Sequence, residues 1–264
     1  MFSDQEKLAL VKASPEAVAQ HDKTAWLNLF TTDALVNDPV GSKPHVGHAQ
    51  IGRFYDSFIA PNKITFAPEH DTVCGDTVVR DLTIVTILLT GLTVPVATHI
   101  RYELKEEAGQ LKIHRLYAHW QLTPMVLKTL GSGFIGLRSY AKLSVRMLKC
   151  QGLGGVMGFM RGFSGGGRRR RKTAENFLSR LAQADVATVQ ALLAPNAELQ
   201  NPPGITQPLS ELAGHMRGLT WRKVIAGGGK VTASVELAGV HGVVLLEMNR
   251  GKQITHVVSY WPNS

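Results

Sequence analysis

The chain has 264 residues, of which 44% are hydrophobic and 19% are charged, and its formal net charge is +9. This length suits two domains, and the hydrophobic fraction is ordinary for a soluble globular protein. The first twenty residues alternate charged and apolar side chains and lack the continuous apolar run of a secretory signal, so we expect a cytoplasmic protein. The two cysteines, Cys74 and Cys150, follow no metal-ligand spacing, which agrees with a reduced compartment.

Residues 1–124 predict a first domain in which three helices precede a sheet. The helices are expected over residues 4–20, 24–30 and 48–59. In the third helix the spacing i, i+3, i+4, i+7 of a buried face is shown by Ile51, Phe54, Tyr55 and Phe58. The hydrophobic period then changes to two, which predicts strands over residues 65–68, 72–74, 78–90, 94–104 and 111–122. Long antiparallel strands after three helices are typical of an α+β fold, with a curved sheet packed on helices.

Residues 125–171 predict a basic, glycine-rich and partly helical connector. Between residues 121 and 172 lie eleven Lys or Arg, no Asp or Glu, and eleven of the 26 glycines. Helical spacing places four cations on one stripe: Arg138, Lys142, Arg146 and Lys149. We consider three roles: an ordered connector packed over a domain, an amphipathic segment on an anionic membrane surface, and a nucleic-acid-binding segment. The segment has few aromatic residues and matches no nucleic-acid-binding motif, so we expect no specific nucleic acid partner.

Residues 172–264 repeat the first domain in shortened form. Helices predicted over residues 172–184, 186–193 and 208–217 precede strands predicted over residues 221–226, 230–238, 242–249 and 253–261. The turn VNDPVG recurs as LQNPPG, with Asn201 in the place of Asp38. The final strands KIHRLYAHWQ and QITHVVSYWP put Trp120 and Trp261 at equivalent positions. This order predicts an internal duplication with two copies.

The stretch DALVNDPVGSKPHVGHAQIGRFYDSF, residues 33–58, and the later LYAHW resemble the nuclear transport factor 2-like superfamily, in its ketosteroid isomerase and SnoaL-like polyketide cyclase branch. The resemblance covers residues 4–122 well and residues 172–264 weakly. It implies two tandem cone-shaped domains, each with three helices on a curved, mostly antiparallel sheet and a pocket at the wide end. Such cones host many chemistries as well as simple binding, so the resemblance does not fix a substrate.

The resemblance also implies a role for Asp38, which matches the family's general base. A base of this kind removes a proton next to a carbonyl, and the resulting oxyanion must be stabilised. In ketosteroid isomerase a tyrosine and a protonated aspartate stabilise it. In this chain the position of the tyrosine is occupied by Ser14, and the position of the protonated aspartate falls at or beside Arg101. The usual pair of oxyanion donors is therefore absent. Tyr55 matches the helix tyrosine that supports the missing one.

Strand alternation along ATHIRYE puts His99, Arg101 and Glu103 on one face, which we expect to be the pocket face. Either His99 or Arg101 would then stabilise the oxyanion, although a cation beside Asp38 lowers its pKa and weakens it as a base. An arginine two residues from an acid also resembles the limonene epoxide hydrolase branch, in which an arginine bridges two carboxylates that activate water. Epoxide-hydrolase-like water activation is therefore an alternative.

We expect the first domain to bind an apolar, steroid-, terpenoid- or polyketide-like molecule, with Asp38 as general acid/base in an isomerase or cyclase step. The residues expected to line the pocket and orient the ligand are Ser14, Tyr55, His99, Arg101 and Trp120. The alternative is a non-enzymatic lipid- or small-molecule-binding module, peripheral to a membrane through residues 125–171. We expect neither a metal nor an organic cofactor, and either a homodimer or pairing of the two copies within one chain.

Overall fold

The structure, a computed structural model, describes residues 2–88, 90–161, 167–201 and 203–263. It divides into two compact units, one formed by Met1–Asp71 with Asp76–Ser164 and the other by Thr72–Gly75 with Gly165–Ser264. Each unit combines helices with one sheet, of six strands in the first unit and five in the second. This arrangement confirms the predicted α+β class with two tandem domains. Within the described ranges, no helix has the length and apolar character needed to cross a bilayer.

The first domain begins with helices and continues into a long sheet. Its helices are α1 (Asp4–Ala19), α2 (Lys23–Asn28), α3 (Gly47–Phe54), α4 (Leu122–Leu130) and α5 (Phe134–Met160), and a π-helix (Tyr55–Ile59) continues α3. Its strands are β1 (Phe30–Asn37), β2 (His45–Val46), β3 (Lys63–Cys74), β4 (Thr77–Ile87), β5 (Thr93–Glu107) and β6 (Gln110–His119). The strand order in the sheet is β2-β1-β6-β5-β4-β3.

The second domain has the same plan, and its last four strands are shorter than their counterparts in the first domain. Its helices are α6 (Gly167–Ala182), α7 (Val186–Leu192) and α8 (Leu209–His215). Its strands are β7 (Leu193–Gln200), β8 (Thr220–Gly227), β9 (Lys230–Leu237), β10 (Val240–Met248) and β11 (Ile254–Tyr260), in the order β7-β11-β10-β9-β8. Phe177 and Leu178 of α6 are fully buried in the core that this sheet forms with the helices.

The two sheets have the same topology once the two-residue strand β2 is set aside. In both, the first strand pairs parallel with the last, and the remaining pairs are antiparallel. Asn37 lies opposite Tyr117 in the first sheet, and Gln200 lies opposite Val258 in the second. Counting forward from these pairs, Asp38 corresponds to Asn201 and Trp120 corresponds to Trp261, as the sequence pattern predicts. Pro202 of the LQNPPG turn lies outside the described residues.

The turn between the first two helices is also the same in both domains. His21 and Ala184 each have a φ of 55°, in the left-handed region. The aspartate that follows each of them caps the next helix. The side chain of Asp22 or Asp185 accepts a backbone N–H bond at 2.8 or 3.1 Å. Both domains therefore share local geometry that the resemblance of their sequences only weakly suggests.

Strands β1 and β7 depart from the predicted elements. The sequence pattern extends a helix to residue 30 and then turns directly through Asp38, whereas α2 ends at Asn28 and β1 follows. Alternation is broken in β1 because its register against β6 shifts between Phe30 and Leu35, and β7 has a similar shift against β11. The basic segment predicted as a connector forms α4, α5 and the start of α6, and α4 and α5 belong to the first unit.

A proline fixes how α1 lies against the sheet. Pro15 is inside α1 and has no N–H, so the carbonyl of Val11 has no helical donor. Arg80 of β4 is 3% exposed, and its Nη1 donates to that carbonyl at 3.5 Å. The same guanidinium makes two hydrogen bonds with the carboxylate of Asp71, at 2.8 and 3.3 Å. This buried ion pair holds the middle of α1, which carries Ser14, over the sheet.

We expect Arg80→Met to lower the free energy of unfolding by roughly 3–5 kcal/mol, because it leaves Asp71 largely buried and unpaired. The double variant Arg80→Met/Asp71→Leu should recover much of this loss. Urea unfolding measures both. The matched control is Lys23→Met, since its ion pair with Asp56 is 39% and 44% exposed and should be worth only about 0–1 kcal/mol. A loss for Arg80→Met no larger than that of the control would contradict the structural role.

Candidate functional site

Asp38 is held in a closed turn at one edge of the first sheet. Because β1 and β6 are parallel, their C-terminal ends meet at this edge. The side chain of Asn37 donates to the carbonyl of Ser42 at 3.0 Å and closes the turn. The N–H of Val40 donates to the carbonyl of Ala118 at 2.9 Å and ties the turn to β6. The backbone therefore fixes where the Asp38 carboxylate points.

A cavity lined mostly by apolar side chains lies beside this carboxylate. Its apolar wall includes Trp26, Val36, Phe66, Ile84, Ile100 and Leu116. The polar residues that reach it are Ser14, Asp38, Thr86, Thr98 and Tyr102, so Asp38 is the only acid among its described lining residues. The free volume is about 70 Å³, which holds roughly five water molecules. A steroid-sized ligand therefore requires movement of lining side chains, several of which are only half-buried, Phe58 and Met125 among them.

Burial and one hydrogen bond set the pKa of the Asp38 carboxyl group. The indole Nε1 of Trp120 donates to its Oδ1 at 2.6 Å. Burial raises the pKa of Asp38 from 3.8 to about 6, and the bond from Trp120 opposes this shift. The group is therefore mostly ionised at pH 7 but close enough to neutrality to accept and return a proton.

Tyr102 of β5 is a second polar group in the cavity, and it was not among the residues predicted from the sequence. It is 1% exposed, and burial raises its pKa to about 12, although a hydrogen bond with Ser14 lowers it. The negative charge of Asp38 raises it further. Ser14 also accepts a bond from the indole of Trp26 at 3.0 Å. Tyr102 therefore keeps its proton at neutral pH and can donate a hydrogen bond.

His99 and Arg101 lie on the opposite face of β5, which corrects the expectation that they line the pocket. The residues of β5 that reach the cavity are Val96, Thr98, Ile100 and Tyr102. Arg101 donates to Glu103 at 2.7 Å and lies 4.3 Å from the centre of the Tyr117 ring. His99 is fully buried, with its Nε2 3.6 Å from a carboxylate oxygen of Asp81. Alternation groups these residues correctly but does not indicate which face is turned inwards.

Tyr55 lies behind the cavity wall. It begins the π-helix and is 2% exposed, and its ring centre is 5.5 Å from that of Trp26. Burial raises the pKa of Tyr55, and the charges of Asp22 and Asp56 raise it further. Its hydroxyl has no hydrogen-bond partner among the described residues. Tyr55 therefore supports the position of Trp26 and does not itself line the cavity.

A second, more polar cavity of about 190 Å³ lies on the other side of Phe54 and Phe58, which line both cavities. Its cationic side consists of Lys43 and Arg53, with the neutral His45 beside them. Burial, followed by the charges of Lys43 and Arg53, lowers the pKa of His45 to about 4. Part of the remaining wall comes from α5. Among the described residues no group of three or more His, Cys, Asp or Glu side chains could hold a metal ion.

The second domain has a cavity beside the equivalent turn but not the same polar groups. Asn201 and Trp261 both line it. Tyr102, which lies opposite Leu116, corresponds to Leu246, which lies opposite Val257.

The residue that corresponds to Ser14 also differs in the second domain. Ser14 precedes the capping Asp22 by as many residues as Phe177 precedes Asp185. Across the two domains, a serine, an aspartate and a tyrosine are thus replaced by a phenylalanine, an asparagine and a leucine.

The fold and this site define a class of protein: an α+β domain with a carboxyl group facing an apolar cavity at the open edge of its sheet. Residues 11–114 match the family model described as a SnoaL-like domain. The match identifies a SnoaL-like domain, of the nuclear transport factor 2-like superfamily, within the first domain, which confirms the resemblance stated above for this part of the chain. No curated protein matches the chain.

Several solved structures are similar to part of the chain. One is a delta 5-3-ketosteroid isomerase from Mycobacterium sp., with 24% identity over 45% of this chain and 95% of that one and a TM-score of 0.41. Another, from Mycobacterium tuberculosis, was solved in complex with estradiol-17beta-hemisuccinate. It has 25% identity over 45% of this chain and 95% of that one, and a TM-score of 0.41. A third is SalBIII, an epoxide hydrolase/cyclase-like enzyme of pyran ring formation in the polyether salinomycin. It has 23% identity over 47% of this chain and 96% of that one, and a TM-score of 0.42.

We expect Asp38→Asn to stabilise the protein at pH 8 and to have less effect at pH 4. A folded-state pKa of about 6, above the ordinary 3.8, means that the folded protein binds the proton more tightly. Stability is therefore lost as the pH rises from about 4 through 6, by up to roughly 3 kcal/mol, and asparagine does not ionise. Thermal unfolding from pH 4 to pH 8 measures the difference.

The matched control for this pH dependence is Asp33→Asn. A hydrogen bond from Thr31 lowers the pKa of the exposed Asp33, so its stabilising contribution is present at high pH and lost in acid. The two variants should therefore show pH trends of opposite sign. An Asp38→Asn variant with the same trend as Asp33→Asn would contradict the raised pKa.

Proposed function

We propose that the first domain binds an apolar carbonyl compound and that Asp38 transfers a proton between two of its carbons, in an isomerase or cyclase type of step. One observation carries the proposal: a carboxyl group with a pKa of about 6 faces an apolar cavity that also contains a protonated tyrosine. The apolar wall favours an apolar ligand, and the free volume favours a small or flat one.

In this step the ionised Asp38 removes a proton from a carbon next to the carbonyl. The C–H electrons form the enolate, and its oxygen accepts a hydrogen bond from Tyr102. Asp38 then returns the proton to a different carbon, which restores the carbonyl and shifts the double bond. Tyr102 thus takes the place of the missing oxyanion pair, because a donor that keeps its proton stabilises negative charge as it develops.

Two features support a role beyond holding the turn. The equivalent turn of the second domain folds with Asn201, so the backbone does not require an ionisable group there. The ionised form of Asp38 is destabilised by burial, which a purely structural residue would avoid. Water activation by two carboxylates is less favoured, because Glu103 lies on the opposite face from the cavity.

The second candidate function is binding without chemistry. The bond from Trp120 to Asp38 favours it, since this bond occupies one carboxylate oxygen and gives Asp38 a structural partner. The two functions differ in one measurement, because binding alone leaves the carbon-bound protons of the ligand unchanged.

Proton exchange tests the proposal directly. We expect the wild type to speed deuterium uptake from D₂O at the carbons next to the carbonyl of cyclohex-3-enone or of a β,γ-unsaturated ketosteroid, followed by NMR. Asp38→Asn should lower kcat by about 10²–10⁴-fold, the usual contribution of a general base. Tyr102→Phe should lower kcat by about 10²-fold or more while leaving KM little changed. The rate should rise with pH through about 6, because the base must be ionised.

The second domain supplies the matched control. Asn201→Asp makes the reverse change in a cavity without the tyrosine, so exchange should stay at the wild-type rate. If Asp38→Asn exchanged protons as fast as the wild type on every probe, the acid/base role would be wrong. Quenching of tryptophan fluorescence by the same probes in both proteins would then support binding alone, since Trp26 and Trp120 line the cavity.

A further inference from the structure

The exposed apolar side chains of this chain are concentrated on α4 and α5. Of the fourteen large hydrophobic residues exposed in the described ranges, ten lie between Leu127 and Met160. Phe134 is 78% exposed, Leu153 is 73% exposed and Met157 is 71% exposed. Single exposed hydrophobic residues are normal, but a contiguous group of them indicates an interaction surface.

In the part of α5 before its kink at Gly152, four of these residues share one side of the helix with cations. An exposed apolar stripe at helical spacing is formed by Phe134, Leu137, Val145 and Leu148. An exposed basic stripe beside it is formed by Arg138, Lys142 and Lys149. These seven residues are named the α5 outer face. Arg146, which the sequence pattern places in the basic stripe, is turned inwards and half-buried.

The opposite side of α5 is held by the first domain. Met147 is buried, and Nε of Arg146 donates to the carbonyl of Asp56 at 2.8 Å. The side chain of Gln151 donates to the hydroxyl of Ser57 at 2.5 Å. Because these contacts fix the inner side against the π-helix, the α5 outer face is the side that remains for a partner.

The charge of this segment has one sign. Residues 122–160 contain five Lys or Arg and no Asp or Glu. A basic stripe beside an apolar stripe is the arrangement with which an amphipathic helix lies in the interface of an anionic bilayer, its cations among the headgroups. Nucleic acid would pair with the cations but would leave the exposed leucine and valine side chains uncovered. The combination therefore favours lipid over nucleic acid.

We propose that the α5 outer face docks this protein on the surface of an anionic lipid bilayer without crossing it. The apolar stripe enters the boundary between headgroups and acyl chains, and the basic stripe contacts the negative headgroups. This inference goes beyond the function proposed for Asp38 and does not depend on it.

Vesicle flotation with the full chain tests the docking. We expect the protein to float with vesicles of equal parts phosphatidylcholine and phosphatidylglycerol and to bind phosphatidylcholine vesicles far more weakly. The triple variant Arg138→Glu/Lys142→Glu/Lys149→Glu should bind the anionic vesicles at least about 100-fold more weakly. The apolar variant Leu137→Gln/Val145→Gln/Leu148→Gln should also lose most of its binding.

Matched controls separate the surface from general charge and hydrophobicity. Lys12→Glu/Arg217→Glu/Arg250→Glu makes the same charge change at exposed cations elsewhere, and Val186→Gln/Val240→Gln removes exposed apolar side chains elsewhere. Both should float like the wild type. Circular dichroism and thermal unfolding should be the same for all variants, because every substituted side chain is exposed.

Three outcomes would overturn the proposal. Flotation of the apolar variant as complete as that of the wild type would leave only general charge attraction. If the wild type binds neither kind of vesicle and sediments as a dimer, and the apolar variant sediments as a monomer, the occupant is a second copy of the chain. If single-stranded RNA displaces the protein from vesicles at a lower concentration than competing phosphatidylglycerol vesicles do, the partner is nucleic acid.

Discussion

The parallel pairing of the first strand with the last is the constraint on which the site depends. Since β1 and β6 end at the same edge, the turn after one strand and the tryptophan after the other leave the sheet side by side. Asp33 and Asp38 show the effect of this position. Asp33, earlier on β1, has a side chain 62% exposed and a lowered pKa, whereas Asp38 faces the cavity and its pKa is raised. Position at the end of the strand thus places one carboxylate beside the cavity and leaves the other exposed.

The second domain keeps this constraint and lacks the polar groups around it. Its first and last strands pair in the same register, and its turn keeps a left-handed glycine, Gly204, which matches Gly41. The shared topology, register and helix-capping turn favour an internal duplication. The chain thus contains the same backbone with and without an ionisable group, which separates the requirements of the fold from those of the proposed chemistry.

The sequence predicts the parts of the site that depend on a local motif. The α+β class, the repeated turn, Asp38 and the equivalence of Trp120 with Trp261 can all be derived from short patterns. The inward face of β5 cannot, because alternation does not say which of its two faces meets the helices. His99 and Arg101 are therefore predicted to line the pocket, which they do not, and Tyr102, which does line it, is not predicted. Strand β1 is missed for a related reason, since an irregular register interrupts its alternation.

Phe54 and Phe58 form the wall between the two cavities of the first domain. Phe58 is half-buried and lines both cavities, so a displacement of its ring would open one space to the other. The combined chamber would be apolar around Asp38 and cationic at its far end, next to Lys43 and Arg53. A chamber with that gradient fits an amphiphile, with its hydrocarbon body inside and a negative group at the entrance, better than a hydrocarbon without charge.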